Sequence, residues 1–503
     1  MNPYLDTRYC DVRCTFQVID LTAKEDAAPS SSSEANISQI MQTIDDVKTQ
    51  SIKLATLETN QWTLDGSMEI MKPLDEMQTG WWSGEISDEN GDINTYLEFD
   101  FTDTHSSYGL TLYFDEKSNT YPIKFTITAY DAAGENIAEF AVNDNKDARY
   151  VAIAQLSDYK KIRITFAKTN LPHRRVRVTE VIFGIVEEFD RDNTVELSVT
   201  KEVDFSSESI PIGEIDLTFD NSNQRYNMVS PDGAYRFLKT GMPLLVEIGC
   251  GPEKDEIEYE KIGEFFYVSS ESDDGALTAK ITAQDILMYL ERIDYPVPEG
   301  EEATIEEVTS QIQSAVKRII DFEIEEELKS EKIMNLKPDV QAKCRAVLQQ
   351  ACQALRAVCY VSKQGKVVIK RTKAGIIADT LTMDKMLDVP KITTKERINT
   401  MAIENGEIIG TYQDKQDDEV IQSEKKSNQM ITAVSANNVA KWMLENTRRL
   451  LFDIGGRGNP MHELTDTVKV MDAFGTERNV LISKHTLKFN GGLTEEIQAR
   501  TVE

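Results

Sequence analysis

The segment Asp88-Glu89-Asn90-Gly91-Asp92-Ile93-Asn94 sets oxygen donors at alternate positions, as calcium loops do. Its glycine stands fourth rather than sixth, and Phe99 occupies the place of the bidentate glutamate. A hairpin turn at Asn90-Gly91 accounts for the same residues, so no metal is expected. Trp62, Trp81 and Trp82 with Tyr96 offer aromatic faces on which the apolar face of a sugar stacks. Arg174 and Arg175, within the basic cluster His173-Arg174-Arg175-Arg177, add donors for teichoic acid phosphates or an acidic neighbour. These six are the candidate saccharide contacts. A sandwich core that needs large aromatics, and a strand with alternating exposed arginines, explain them equally well. Gly455-Gly456-Arg457-Gly458 has the glycines of a phosphate loop. It lacks the Lys-Ser/Thr that reaches β- and γ-phosphates and is read as following a helix rather than a strand, so no nucleotide is expected.

Other catalytic chemistry finds little local support. His105, His173, His462 and His485 lie far apart, and none belongs to an H-x-x-x-H or H-E-x-x-H arrangement. Cys10, Cys14, Cys250, Cys344, Cys352 and Cys359 form neither a disulfide nor a zinc pattern, so buried free thiols are expected. No Cys-His or Ser-His pairing is suggested, and acidic pairs are too abundant to signal glycosidase chemistry. Neither catalytic residues nor a cofactor are expected.

With 503 residues the chain is too long for one core. Its net charge of -31 argues against binding nucleic acid through phosphates and against an anionic membrane surface. Like charge of this size also repels DNA, which suits a wall that DNA passes, while a solvated acidic surface accounts for most of the same charges. No signal peptide and no apolar run of membrane-spanning length are read, so synthesis in a cytoplasm without a membrane anchor is expected.

Cys10 to Leu21 reads as a strand, and Ala23 to Ser38 as a Ser-rich linker. From Ser51 to Ile185, alternating stretches at Tyr96–Phe101, Leu110–Phe114, Lys124–Tyr130, Ile137–Val142, Lys161–Phe166 and Arg175–Ile185 predict an antiparallel β-sandwich. Strands follow at Thr194–Val203, Glu214–Phe219, Pro243–Ile248 and Gly263–Val268. The clearest helix opens with Asp339 as N-cap and carries Val340, Cys344, Val347, Leu348, Ala351, Cys352 and Leu355 on one stripe. A hairpin, Cys359–Val361 and Val367–Lys370 around Gln364-Gly365, packs on it. A second helix is predicted over Ala436–Phe452, and a β-meander closes the chain, with a break at Gly491-Gly492.

Several blocks, in order, resemble the baseplate hub, or tail-associated (Tal-like), proteins of phages and phage-tail-like bacteriocins of Gram-positive bacteria. They are Leu57-Glu58 with Trp62-Thr63-Leu64-Asp65-Gly66-Ser67; Leu217-Thr218-Phe219-Asp220-Asn221 with Tyr226-Asn227; Gly263 to Val268; Ile281-Thr282-Ala283-Gln284-Asp285; and Phe489-Asn490-Gly491-Gly492-Leu493. Val176 to Gly184 is similar to the last strand of discoidin-like, galactose-binding-type sandwiches.

The resemblance implies a mainly β fold with α+β parts. Residues 1–50 would give the first strand of hub-type β-barrel 1 plus the linker, 51–191 the inserted sandwich, and 192–293 the rest of barrel 1. Residues 294–375 would form a small helix-and-hairpin domain, and 376–503 barrel 2. It implies a homotrimeric virion protein at the tail tip that caps the tail tube, adapts sixfold to threefold symmetry and opens for DNA or tape-measure passage. Implied partners are a distal tail tube or Dit-like ring protein, the tape measure protein and a distal fibre or spike. The alternative is an adhesin that binds host cell-wall polysaccharide through the inserted sandwich. Because Glu503 follows so soon after the second barrel, a peptidoglycan-cleaving domain is not expected.

Overall fold

The computed structural model describes residues 3–502 except 5–6, 46–52, 57, 63–64, 71, 231–232, 297–301, 317, 335–341, 395–397 and 415–422. The chain is mainly β and forms two compact units. One comprises Met1–Thr15, Glu188–Gln224 and Pro243–Glu503, the other Phe16–Glu187 and Arg225–Met242.

In the first unit, strands expected in two separate barrels share one continuous ladder. Its order is Lys391–Thr393, Leu451–Gly456, Leu493–Thr501, Glu477–Phe489, Thr194–Glu202, Glu214–Asp220, Thr278–Gln284, Glu258–Glu271, Pro243–Gly251. The join is the antiparallel pairing of Thr194–Glu202 with Glu477–Phe489, in register from Leu197 opposite Phe489 to Glu202 opposite Lys484. No closed barrel forms among the described strands. Glu214–Asp220 and Leu451–Gly456 alternate buried and less buried residues, as strands with one covered face do.

The helix-and-hairpin part shares one core with Ile210, Phe266 and the helix Leu287–Arg292 rather than forming a core alone. Thr304 and Glu307 close a reciprocal capping box at the start of helix Ile305–Ala315. Helix Cys344–Ala354 buries Cys344, Val347, Leu348, Ala351 and Cys352. Its expected N-cap Asp339, and Val340, lie outside the described residues. Val358–Val361 and Val367–Lys370 form the expected hairpin.

The second predicted helix ends at Arg448, short of Phe452. Leu451–Gly456 is a strand instead, because Phe452 and Ile454 alternate into the sheet core beside Leu493–Thr501. The helix packs on a separate three-stranded sheet, Thr400–Asn405 with Glu407–Gln413 and Ser423–Ser427, through Val439, Ala440, Met443 and Leu444. Gly455 and Gly456, read as loop residues, are therefore strand residues. A Cβ on Gly456 would stand 2.6 Å from Oε1 of Glu495.

Asp285, the last residue of one quoted block, is wholly buried and takes backbone N–H groups from Gly213 (2.7 Å) and Leu287 (3.0 Å). Burial drives its pKa up to about 6, against the pull of those donors. Between its ordinary value and about 6 the folded chain holds a proton that the unfolded chain lacks. Asp285 therefore costs stability as pH rises through that window, by about 2–3 kcal/mol in full. The stability of wild type relative to Asp285→Asn should fall by that amount between about pH 4 and 7 in urea titrations. A difference that stays flat with pH would contradict this assignment.

The second unit is a seven-stranded antiparallel sheet in the order Trp81–Trp82, Arg177–Ile182, Asp92–Phe114, Arg149–Thr169, Pro122–Tyr130, Asn136–Val142, with Ala28–Ser31 also paired to Asp92–Phe114. The predicted strands Tyr96–Phe101 and Leu110–Phe114 are parts of one 23-residue strand. Its pairing with Arg149–Thr169 shifts between Asp100 and Leu110, as where a long strand bends at bulges. The Ser-rich stretch is no free linker. Ala23–Asp26 is a helical turn, Ala28–Ser31 a strand, and Ser32 hydrogen-bonds Thr95 at 2.7 Å. Phe99 and Phe101 meet Phe183 edge-on at 5.4 and 5.1 Å in the core.

Candidate functional site

A buried set of titratable side chains lies in the first unit, around the C-terminal hairpin. Glu477–Phe489 and Leu493–Thr501 pair antiparallel, with Phe489 opposite Leu493 and the turn carried by Gly491 at φ +92°. Leu487 is opposite Glu495 and His485 opposite Ile497, so His485 and Glu495 are diagonal neighbours on one face. Oε2 of Glu495 lies 2.9 Å from Nε2 of His485 and 3.1 Å from Nδ1 of His462. His462 belongs to the loop that leaves strand Leu451–Gly456. Arg8 ties that loop to the hairpin, donating to the carbonyls of Gly458 (2.9 Å) and Leu493 (2.7 Å).

The other ring nitrogen of His462 lies 3.2 Å from Oδ2 of Asp379, on the strand Ile377–Leu381. A carboxylate only accepts, so Nε2 carries the hydrogen and the Asn459 amide 3.4 Å away donates to Asp379 too. Asp379 also accepts from Tyr4 (2.7 Å) and Lys385 (2.6 Å). Burial opposes a charge on His462, but Asp379 and Glu495 outweigh it and raise its pKa to about 9. Burial likewise opposes charge on Glu495, yet the two histidines hold its carboxyl at about 2. His485 is displaced downward by burial and stays neutral. His462, His485 and Glu495 thus form a compact polar centre in an apolar sheet.

Beside it lies a cavity of about 10 Å³ lined by Val199, Lys201, Lys363, His462 and His485, among others. Lys201 is buried, burial depresses its pKa, and its Nζ has no hydrogen-bond partner among the described residues. The sequence reading missed this centre because His462, His485 and Glu495 come from three segments. The available signal was the hairpin: strands reversing at Asn490-Gly491-Gly492 put His485 and Glu495 on one face.

The six predicted saccharide contacts do not assemble into a platform. Trp81 and Trp82 are 0 % exposed, so neither presents a face to a ligand. Trp81 stacks on Phe166 at 5.7 Å, and Trp82 lies beneath the Arg177 guanidinium at 3.8 Å. Arg163 covers a face of Tyr96 at 4.6 Å. Arg174 is buried and donates to the Thr59 and Asn60 carbonyls, while Arg175 donates to those of Ser83 and Gly84. Only Trp62 among the six is largely exposed, at 54 %. In the acidic loop, Asp88 accepts the backbone N–H groups of Asn90 (2.8 Å) and Asp92 (2.9 Å), and Gly91 sits at φ +81°. Those groups make an Asx turn, and Phe99 is buried in the core. All six cysteines are free and buried.

No family model and no curated protein matches the chain. Among solved structures, the 43 kDa tail protein of prophage MuSo2 from Shewanella oneidensis is similar over 63% of this chain and 93% of its own, with 14% identity and a TM-score of 0.44. The tail protein from Neisseria meningitidis MC58 is similar over 62% of this chain and 93% of its own, with 12% identity and a TM-score of 0.46. The lectin domain of lectinolysin, complexed with Lewis B antigen, is similar over 33% of this chain and 96% of its own, with 12% identity and a TM-score of 0.23.

Proposed function

We propose that the protein is a structural component of a phage tail or phage-tail-like particle, a homotrimeric hub at the tail tip. It would cap the tail tube, match sixfold to threefold symmetry, and open for DNA or tape-measure protein. A Dit-like ring protein above, the tape measure and a distal fibre or spike would be its neighbours. The observation that carries this reading is the ladder joining the two barrel segments. The quoted blocks Leu217–Asn221, Gly263–Val268, Ile281–Asp285 and Phe489–Leu493 lie on its strands or the turns next to them, although they are far apart in the chain.

A second feature favours assembly. The ladder ends at Lys391–Thr393, and Leu387, Val389 and Ile392 expose apolar side chains there. An open sheet edge bearing apolar residues is a liability in a monomer and is covered in a permanent oligomer. Mass measurement of the full chain at micromolar concentration should give a trimer, or a trimer on adding the ring partner. The adhesin alternative has only Trp62 as an exposed aromatic of its predicted set.

A further inference from the structure

We propose that His462, His485 and Glu495 form a binding site for a first-row divalent cation, with Zn²⁺ the ion their donor set favours. Each offers one ligand atom, and these lie within 4.8 Å of one another in a buried setting. Two imidazole nitrogens and one carboxylate oxygen suit zinc and its neighbours, whereas calcium and magnesium take oxygen ligands throughout.

Bonds of zinc length set tetrahedral ligand edges at about 3.3 Å. The two measured edges, 3.1 Å from His462 Nδ1 to Glu495 and 2.9 Å from His485 Nε2 to Glu495, need to open by only a few tenths of an ångström. Asp379 accepts from Nε2 of His462 and so turns Nδ1 toward the other donors, the carboxylate–histidine pairing that supports metal-bound imidazoles. Lys385 and Tyr4 hold Asp379 in turn. A further observation is independent of these contacts: Oε1 of Glu495 is buried with no hydrogen-bond partner among the described residues. An ion chelated by both oxygens of Glu495 offers Oε1 a partner, which coordination through Oε2 alone does not. The adjoining cavity of about 10 Å³ is the size of one water, which would complete four-coordination and give Lys201 Nζ a partner.

The ion takes the place of the proton between His462 and Glu495, and His485 turns to the tautomer with hydrogen on Nδ1. Its role is structural: it pins the loop around His462 to the C-terminal hairpin. Without metal, a protonated His462 between two carboxylates holds the same groups together.

The test uses the full chain, stripped with EDTA and dialysed against Zn²⁺ or Co²⁺. Wild type should retain about one ion per chain, with the visible bands of four-coordinate Co²⁺ in a nitrogen and oxygen field. Glu495→Gln should lose that ion, and Asp379→Asn should weaken binding about 10-fold or more. His173→Ala, in the other unit, should match wild type. If Glu495→Gln fails to fold, the wild-type Co²⁺ spectrum decides. Bands of a nitrogen and oxygen field support the site, and thiolate bands place the ion on cysteines and overturn it. Wild type that holds no ion at micromolar Zn²⁺ also overturns it. The outcome is separate from the tail reading, which stands or falls on assembly.

Discussion

Arg177→Met should destabilise the second unit by about 3–5 kcal/mol, a large fraction of the stability of any domain. Arg177 is 0 % exposed and pairs at 2.5 Å with Asp115 and, through its other amino group, with Glu58, both of which are also buried. Its guanidinium lies over Trp82. Methionine fills similar space but leaves two carboxylates buried without a cation, and the stranded charges dominate the cost. A variant that also changes Glu58 to Gln and Asp115 to Leu should regain much of the loss, because no charge then remains to desolvate. Urea denaturation followed by tryptophan fluorescence measures both. A loss under about 1 kcal/mol for Arg177→Met would mean that the triad is not the buried network described.

Trp81→Ala should cost about 3–5 kcal/mol, as truncation of a fully buried aromatic does. Its ring lies against Phe166 in the core that also holds Leu97, Phe99 and Phe125. Trp62→Ala, at the largely exposed position, should change stability by no more than about 0.5 kcal/mol. The pair separates core from surface among tryptophans that the sequence treats alike. Equal effects would contradict the burial assigned to them. Binding assays on Trp81→Ala report unfolding rather than recognition, so a sugar-binding test belongs on Trp62.

Elements set by local pattern were legible in the sequence. The stripe from Cys344 to Cys352 repeats at helical spacing, and the hairpin around Gln364-Gly365 is fixed by its turn. Elements set by distant partners were not. The polar stretch Thr102 to Ser107 reads as a break, yet Asp92–Phe114 is one strand through it, paired with Arg149–Thr169 at His105 and Ser107 and tied to Asp26 through Asp103 and His105. Apolar residues persist past Arg448, so the helical reading from Ala436 runs on to Phe452, although their spacing there changes to the alternation of a strand. The polar centre at Glu495 depends on register between hairpin strands and on a loop more than twenty positions away. Trp81 and Trp82 show the same limit from the other side, since large aromatics serve a core and a sugar platform equally until burial is known.

The central claim is that this chain is one subunit of a threefold hub. Low-resolution electron microscopy of the purified full chain, alone and with its ring partner, tests it most directly. The account predicts a threefold ring with a pseudo-sixfold outline. Monodisperse single-subunit particles at micromolar concentration, with or without the partner, would contradict it.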